Sequence, residues 1–147
     1  MVGKNEPERV AMLRLNITWR YLADEQGQTC TRCAETDREL VKAVRFLQKA
    51  LAPVGIIFDL ERSPLTPAEF AQDPLQSNRI TIGGRDLEKW LKAEVGKSPC
   101  CGPCGDTPCR TLNLKDKTYE TIPAELIIQA GLQAAYEKVK KHGHKRR

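Results

Sequence analysis

Aromatic residues are scarce: two Trp, three Tyr and three Phe in 147 residues. There is no pattern of stacking rings to hold nucleic-acid bases, so any contact with nucleic acid falls to a short basic end. No apolar run approaches the ~20 residues that span a bilayer, which argues against a membrane part. The start of the chain, from Lys4 to Arg9, mixes both charge signs and has no apolar segment of signal-peptide length. The expectation is a cytoplasmic protein. No glycine-rich phosphate loop occurs, and no acid–base pair suited to hydrolysis or group transfer stands out. Histidine is nearly absent. His142 and His144 both lie far from every cysteine in sequence. A metal site would therefore be all sulfur, which selects soft ions. No repeat or low-complexity linker divides the chain.

What is present fits one soluble domain, with 40% hydrophobic and 29% charged residues. The net charge of +5 is local. Lys138, Lys140, Lys141, Lys145, Arg146 and Arg147 account for more than the whole excess, so the body of the domain is close to neutral. We read residues 1–10 as a flexible lead-in, 11–137 as a single domain and 138–147 as a basic tail. Such a tail reads first as a solvated terminus. It is also the one part able to touch RNA or an acidic surface.

Six cysteines fall in two groups, Cys30 and Cys33 in one, Cys100, Cys101, Cys104 and Cys109 in the other. In a reducing compartment, clustered cysteines point to metal binding or redox chemistry rather than to a disulfide framework.

Leu13, Leu15, Ile17, Trp19 and Tyr21 alternate with polar residues and predict a half-buried strand leading into Cys30-Thr31-Arg32-Cys33. Leu40, Val44, Leu47, Leu51 and Val54 then mark one face of a helix closed by Pro53 and Gly55. Residues 56–60 read as a short strand, parallel to the first by the right-handed βαβ rule. Two starts for the helix stay open. Beginning at Cys30, it places the thiols on its first turn, where the dipole and Arg32 favour thiolate. Capped instead by Thr36, with Glu39 completing a capping box, it leaves the cysteines on a loose loop better suited to metal.

Residues 63–67 read as a turn, with Thr66 capping a short helix over 67–73. A third strand over 78–82 ends at Gly83-Gly84. Leu87, Trp90, Leu91 and Val95 predict a helix over 86–95. The second cysteine group follows. Residues 111–114 and 118–122 then read as a hairpin. A last helix from Pro123 to near Gly143 carries Leu126, Ile127, Ala130, Ala134 and Tyr136.

This order of elements resembles the thioredoxin superfamily. The resemblance is carried by Cys30 and Cys33 after the first strand, by the 80–82 strand with its Gly83-Gly84 turn, and by the final helix. It implies a central mixed four- to five-stranded sheet flanked by helices, with a helix plus cysteine-rich loop inserted after the third strand. The chain also resembles an uncharacterised cysteine-rich, thioredoxin-like family of bacteria and archaea. There the matching stretches are Ile82-Gly83-Gly84-Arg85-Asp86-Leu87-Glu88-Lys89-Trp90-Leu91, the cluster over 100–109 with Arg110-Thr111, and 119–127. Two departures stand out. Gln28-Thr29 occupy the place where a tryptophan normally precedes the redox pair. Ser77 and Asn78 stand where the superfamily has a cis proline that guides substrate disulfides and keeps metals off the thiols. A ferredoxin-like heavy-metal-binding domain opens the same way, but it needs two successive strands where 66–73 reads as helix.

A helix over 86–95 would be ~15 Å long. It would carry the chain back along the sheet and deliver the second cysteine group beside the first. On that expectation Cys30, Cys33, Cys100, Cys101, Cys104 and Cys109 share one site. They would hold zinc, an iron–sulfur cluster or a soft metal or metalloid ion. The vicinal pair Cys100-Cys101 with a third thiol suits a three-coordinate metalloid. In the redox alternative Cys30 attacks, Cys33 resolves and the second group relays electrons. The partner would be a protein thiol or disulfide, or a metal-transfer protein. A non-enzymatic interaction module is the remaining alternative.

Overall fold

The computed structural model describes residues 12–99 and 108–145. Strand β1 (Leu13–Leu22) keeps its alternation: Leu15, Ile17 and Trp19 are buried, with exposed or half-buried residues between them. It is the inner strand of a mixed sheet. On one side it pairs in parallel with β2 (Ile56–Leu65) over its whole length, from Leu13 opposite Ile56 to Leu22 opposite Leu65. On the other side it pairs antiparallel with β3 (Arg79–Ile82). That strand turns back into the two-residue β4 (Arg85–Asp86), giving the order β2-β1-β3-β4. The β3–β4 link is Gly83-Gly84 with φ of 60° and 82°, the left-handed pair that a type I′ hairpin needs.

The second strand runs five residues beyond the expected end and absorbs the expected turn over 63–67. Pro64 sits inside it, opposite Tyr21. An edge strand tolerates proline because no inner neighbour requires the missing N–H. Thr66 then caps α2 (Pro67–Gln72): its hydroxyl accepts from the Glu69 N–H, and the Glu69 carboxylate accepts from the Thr66 N–H.

Helix α1 (Thr31–Leu51) connects β1 to β2 and buries Cys33, Thr36, Leu40, Ala43 and Leu47. Val54 lies past the helix and is exposed. Helix α4 (Ala124–Lys145) packs beside α1, with Ile127, Ala130 and Ala134 buried. At Gly131 the helices come so close that an added Cβ would lie 2.5 Å from Leu47 Cδ1. Tyr136, on the same helix, points outward. Among the described residues no helix is long and apolar enough to cross a membrane.

The expected helix over 86–95 is corrected. Helix α3 (Leu87–Leu91) is one turn longer than a cap, and it ends at Lys92, whose φ of 56° is left-handed. Residues beyond it form β5 (Glu94–Pro99), which pairs antiparallel with β6 (Pro108–Leu114). Pairing to a distant strand supplies backbone hydrogen bonds that a further helical turn would have supplied locally, and tertiary context overrides the periodic pattern. The β6 strand turns through Lys115 and Asp116 into β7 (Lys117–Tyr119), completing a three-stranded sheet β5-β6-β7. The central sheet has four strands, within the expected four to five, and the cysteine-bearing insert follows β4 rather than β3. Arg110 binds this second sheet to the body. It donates through Nε and Nη2 to both Glu88 carboxylate oxygens at 3.1 Å and through Nη1 to the Leu75 carbonyl.

Candidate dithiol site at the first turn of α1

The first cysteine is the N-cap of α1, with extended φ and ψ of −75° and 165°; the second lies in the first turn. The open choice of helix start is thereby settled. Thr36 is buried one turn further on, and its hydroxyl accepts from the Ile122 N–H. Glu39 accepts from the Ala124 N–H. The Thr36-x-x-Glu39 spacing thus satisfies the start of α4 rather than the start of its own helix, locking α1 to α4.

Cys30 and Cys33 are both thiols and are 4% and 1% exposed. They are not equivalent. Cys30 is lowered from 9.0 to about 6. The chief cause is the Cys33 S–H donating to the Cys30 thiolate. Burial opposes it, while the N–H groups of Cys33 and Arg32 and the Arg32 charge reinforce it. These N–H groups do not close a cap hydrogen bond at the thiol, so their effect is that of nearby dipoles at a helix start. Cys33 is pushed strongly upward by holding that same proton for Cys30 and by its own burial. The two shifts are opposite, so Cys30 ionises first while Cys33 keeps its proton.

The shell around the pair is polar where it touches sulfur. Ser77 is fully buried, 3.8 Å from Cys33 Sγ, and its hydroxyl also accepts from the Leu22 N–H at 3.3 Å. The Thr29 hydroxyl is buried without a hydrogen-bond partner among the described residues and lies near enough to Cys33 to favour its ionised form. Asn78, with a φ of 62°, accepts from Trp19 Nε1 and donates to the Glu120 carbonyl. The sequence marks Ser77 and Asn78 only as the occupants of a place where proline was expected. No peptide bond among the described residues is cis.

Arg32, between the two cysteines, is 7% exposed. Its Nη1 donates to the Pro99 carbonyl at 3.0 Å and its Nη2 to the Arg110 carbonyl at 3.2 Å. Pro99 and Pro108 face each other across the β5–β6 pair. One guanidinium therefore holds both strands of that pair against the first turn of α1. Its Nε is 3.9 Å from a Glu120 oxygen and makes no hydrogen bond. Reading from sequence found the charge of Arg32 but not this clasp, because the acceptors are backbone carbonyls that carry no sequence signature.

Of the second cysteine group, Cys109 lies buried on β6 opposite Ser98 and belongs to the same buried cluster as Cys30 and Cys33. Cys100, Cys101 and Cys104 lie outside the described residues. Among the described residues no three His, Cys, Asp or Glu side chains are grouped to hold a metal ion.

Comparison with known proteins adds kinship without chemistry. A family model described as a domain of unknown function (DUF2703) matches residues 15–131. An uncharacterized protein of Archaeoglobus fulgidus is 43% identical over 115 residues, 78% of this chain and 83% of that protein. No solved structure matches.

Proposed function

The chain belongs to the DUF2703 family, and from that premise we propose a thioredoxin-like protein that carries out thiol–disulfide exchange at Cys30 and Cys33. The observation that carries the reading is the placement of two buried thiols at one helix start, Cys30 as the N-cap and Cys33 in the first turn with the Ser77 hydroxyl 3.8 Å from its sulfur; in that setting the Cys30 thiol is lowered and the Cys33 thiol raised. The sheet order β2-β1-β3-β4, with one parallel and two antiparallel steps, supports the thioredoxin-like part of it.

The chemistry balances as a two-electron transfer. The Cys30 thiolate attacks one sulfur of a substrate disulfide, forms a mixed disulfide and releases the other sulfur as thiolate. Cys33 gives its proton to the substrate thiolate released in the first step and attacks the Cys30 sulfur. The Cys30–Cys33 disulfide forms, the second substrate thiolate leaves, and the substrate is reduced by two electrons. A dithiol reductant of a cytoplasmic compartment restores the pair. Ser77 and Thr29 stand beside Cys33, where they ease its ionisation in the second step.

A second reading is favoured by the Arg32 clasp. The strand ends that flank residues 100–107 are held at the same helical turn as Cys30 and Cys33. Cys30, Cys33, Cys100, Cys101, Cys104 and Cys109 would then be the sulfur donors for zinc, an iron–sulfur cluster or a metalloid ion, with a metal-transfer protein as partner.

Anaerobic purification separates the two. Colourless, metal-free protein that reduces a model disulfide, with activity lost in Cys30→Ser, supports exchange. Stoichiometric zinc, or absorbance at ~320–420 nm that disappears with the cysteines, supports the sulfur-ligated metal instead. Partner binding that survives replacement of all six cysteines would reduce the chain to an interaction module.

A further inference from the structure

At the other end of the sheet, away from the thiols, α3 and α4 line an open hollow of about 810 Å³. Its floor is Trp90, fixed by an Nε1 hydrogen bond to the Ile82 carbonyl at 2.9 Å. The Arg85 guanidinium lies over that ring, 4.0 Å from its centroid, and grips Glu137 with two hydrogen bonds. Leu132 and Tyr136, one turn apart on α4, form the wall although they are 42% and 71% exposed. Large apolar side chains standing open beside a cavity are a mark of ligand contact.

The charges around this apolar wall are positive in excess. Glu137 is the single carboxylate lining it, and Arg85 and Lys141 already neutralise it and hold it below the usual carboxylate range. Lys89, Lys92 and Lys140 also line the cavity, and none has an ion-pair partner among the described residues. Lys92 stands in a left-handed conformation that glycine adopts at lower energy, so a cation is held at the rim against backbone preference. A smaller hollow beside it, lined by Leu15 and Gly83, adds Lys138.

We propose that this cavity binds a small organic anion with an aromatic or apolar body. The body would lie against Tyr136 and Leu132, and the negative group would meet the unpaired lysines. The size is that of a small-molecule site, and charge complementarity selects the anion. The site is independent of the thiol pair. β1 separates the two, with Leu15 near one and Leu22 near the other, ~20 Å along the strand.

The test uses two dyes of nearly the same shape on the full chain. 8-Anilinonaphthalene-1-sulfonate carries one negative charge; N-phenyl-1-naphthylamine carries none. The sulfonate should bind saturably and quench Trp90 fluorescence. The neutral dye should bind at least about tenfold more weakly. Raising NaCl from about 20 to about 500 mM should weaken the sulfonate several-fold. Lys89→Glu with Lys92→Glu should weaken it about tenfold or more, and Tyr136→Ala should weaken both dyes, with circular dichroism showing each variant folded. Equal binding of the two dyes, or charge reversal that leaves the affinity within about twofold, would overturn the proposal. So would a solution dimer, seen by light scattering, that Tyr136→Asp dissociates, since a second copy would then be the occupant.

Discussion

Replacing Cys33 by alanine tests whether its proton is what makes Cys30 reactive. With Cys30 at about 6, ~90% of it is thiolate at pH 7. Cys33 is the largest single cause of that value, and it acts by donating a hydrogen bond to a charged sulfur. Such bonds contribute about 1.5–3 kcal/mol, which at 1.36 kcal/mol per unit is one to two pKa units. The Arg32 charge and the backbone N–H groups remain in the variant, and so does the opposing burial. The Cys30 midpoint should therefore rise to about 7–8, and the thiolate fraction at pH 7 should fall to about 0.1–0.5. The assay is iodoacetamide alkylation from pH 4 to 10, with peptide mapping so that only Cys30 is read. The rate at pH 7 should fall about two- to tenfold, softened by the greater nucleophilicity of a more basic thiolate. Cys33→Ser keeps a donor and should shift less. A wild-type midpoint near 9, or a Cys33→Ala midpoint that does not move, would refute the assignment of the shared proton.

Arg32→Met removes the donor to the Pro99 and Arg110 carbonyls, the first bond part-buried and the second buried. Unfolding free energy should drop by about 2–4 kcal/mol, with hydrogen-exchange protection lost first along β5 and β6; uniform loss would mean that the clasp is not local. Glu88→Gln breaks the buried bidentate pair with Arg110 and should destabilise by about 3–5 kcal/mol, whereas Glu88→Met with Arg110→Met should recover most of that. Denaturant titration decides between them. Thr36→Val should loosen the start of α4, not of α1, because the lost acceptor serves Ile122; protection of the amides at 122–127 reads this directly. Stability of the reduced protein should follow pH through the thiols. The folded Cys30 value is depressed, so its contribution is fully present above 9.0 and is lost as pH falls towards about 6. Cys33 is raised, so its contribution is present below 9.0 and lost as pH rises further. Unfolding titrations should show a maximum near pH 9 that Cys30→Ser flattens on its acid side.

Local signals in the chain were legible. The alternation in β1, the Thr66 box and the Gly83-Gly84 turn depend on residues within a few positions, and each appears as read. The readings that fail depend on distant partners. Residues 94 and 95 continue the helix-like pattern, but β6 claims their backbone groups. Thr36 and Glu39 have the spacing of a cap, yet their acceptors serve amides 85 and 86 residues away. Pro64 reads as a turn because nothing in the sequence says that its strand lies at an edge. At the thiol pair, the residue types and the helix-start alternative were visible. The contact of Ser77 with Cys33 was not, since a buried serine looks like any other.

Arg32 alone does not separate exchange from metal binding. Its guanidinium is held by two carbonyl dipoles, and the nearest carboxylate, of half-exposed Glu120, stands off at 3.9 Å. The positive charge therefore remains largely uncancelled beside Cys30. A lone thiolate and an anionic metal–thiolate centre would both gain from that field. Cys33 is the residue that distinguishes them. The fold holds its proton by burial and by the bond to Cys30, and a metal can take this sulfur as a ligand only by displacing that proton. Metal affinity at the pair must then climb about tenfold per pH unit for as long as Cys33 would otherwise stay protonated. Attack by Cys30 needs no such release, and its rate levels off once pH passes the Cys30 midpoint. Above pH 7 the two dependences diverge: a plateau in the rate at which Cys30 forms the mixed disulfide, with no metal uptake, fits exchange, and steadily tightening metal binding fits coordination.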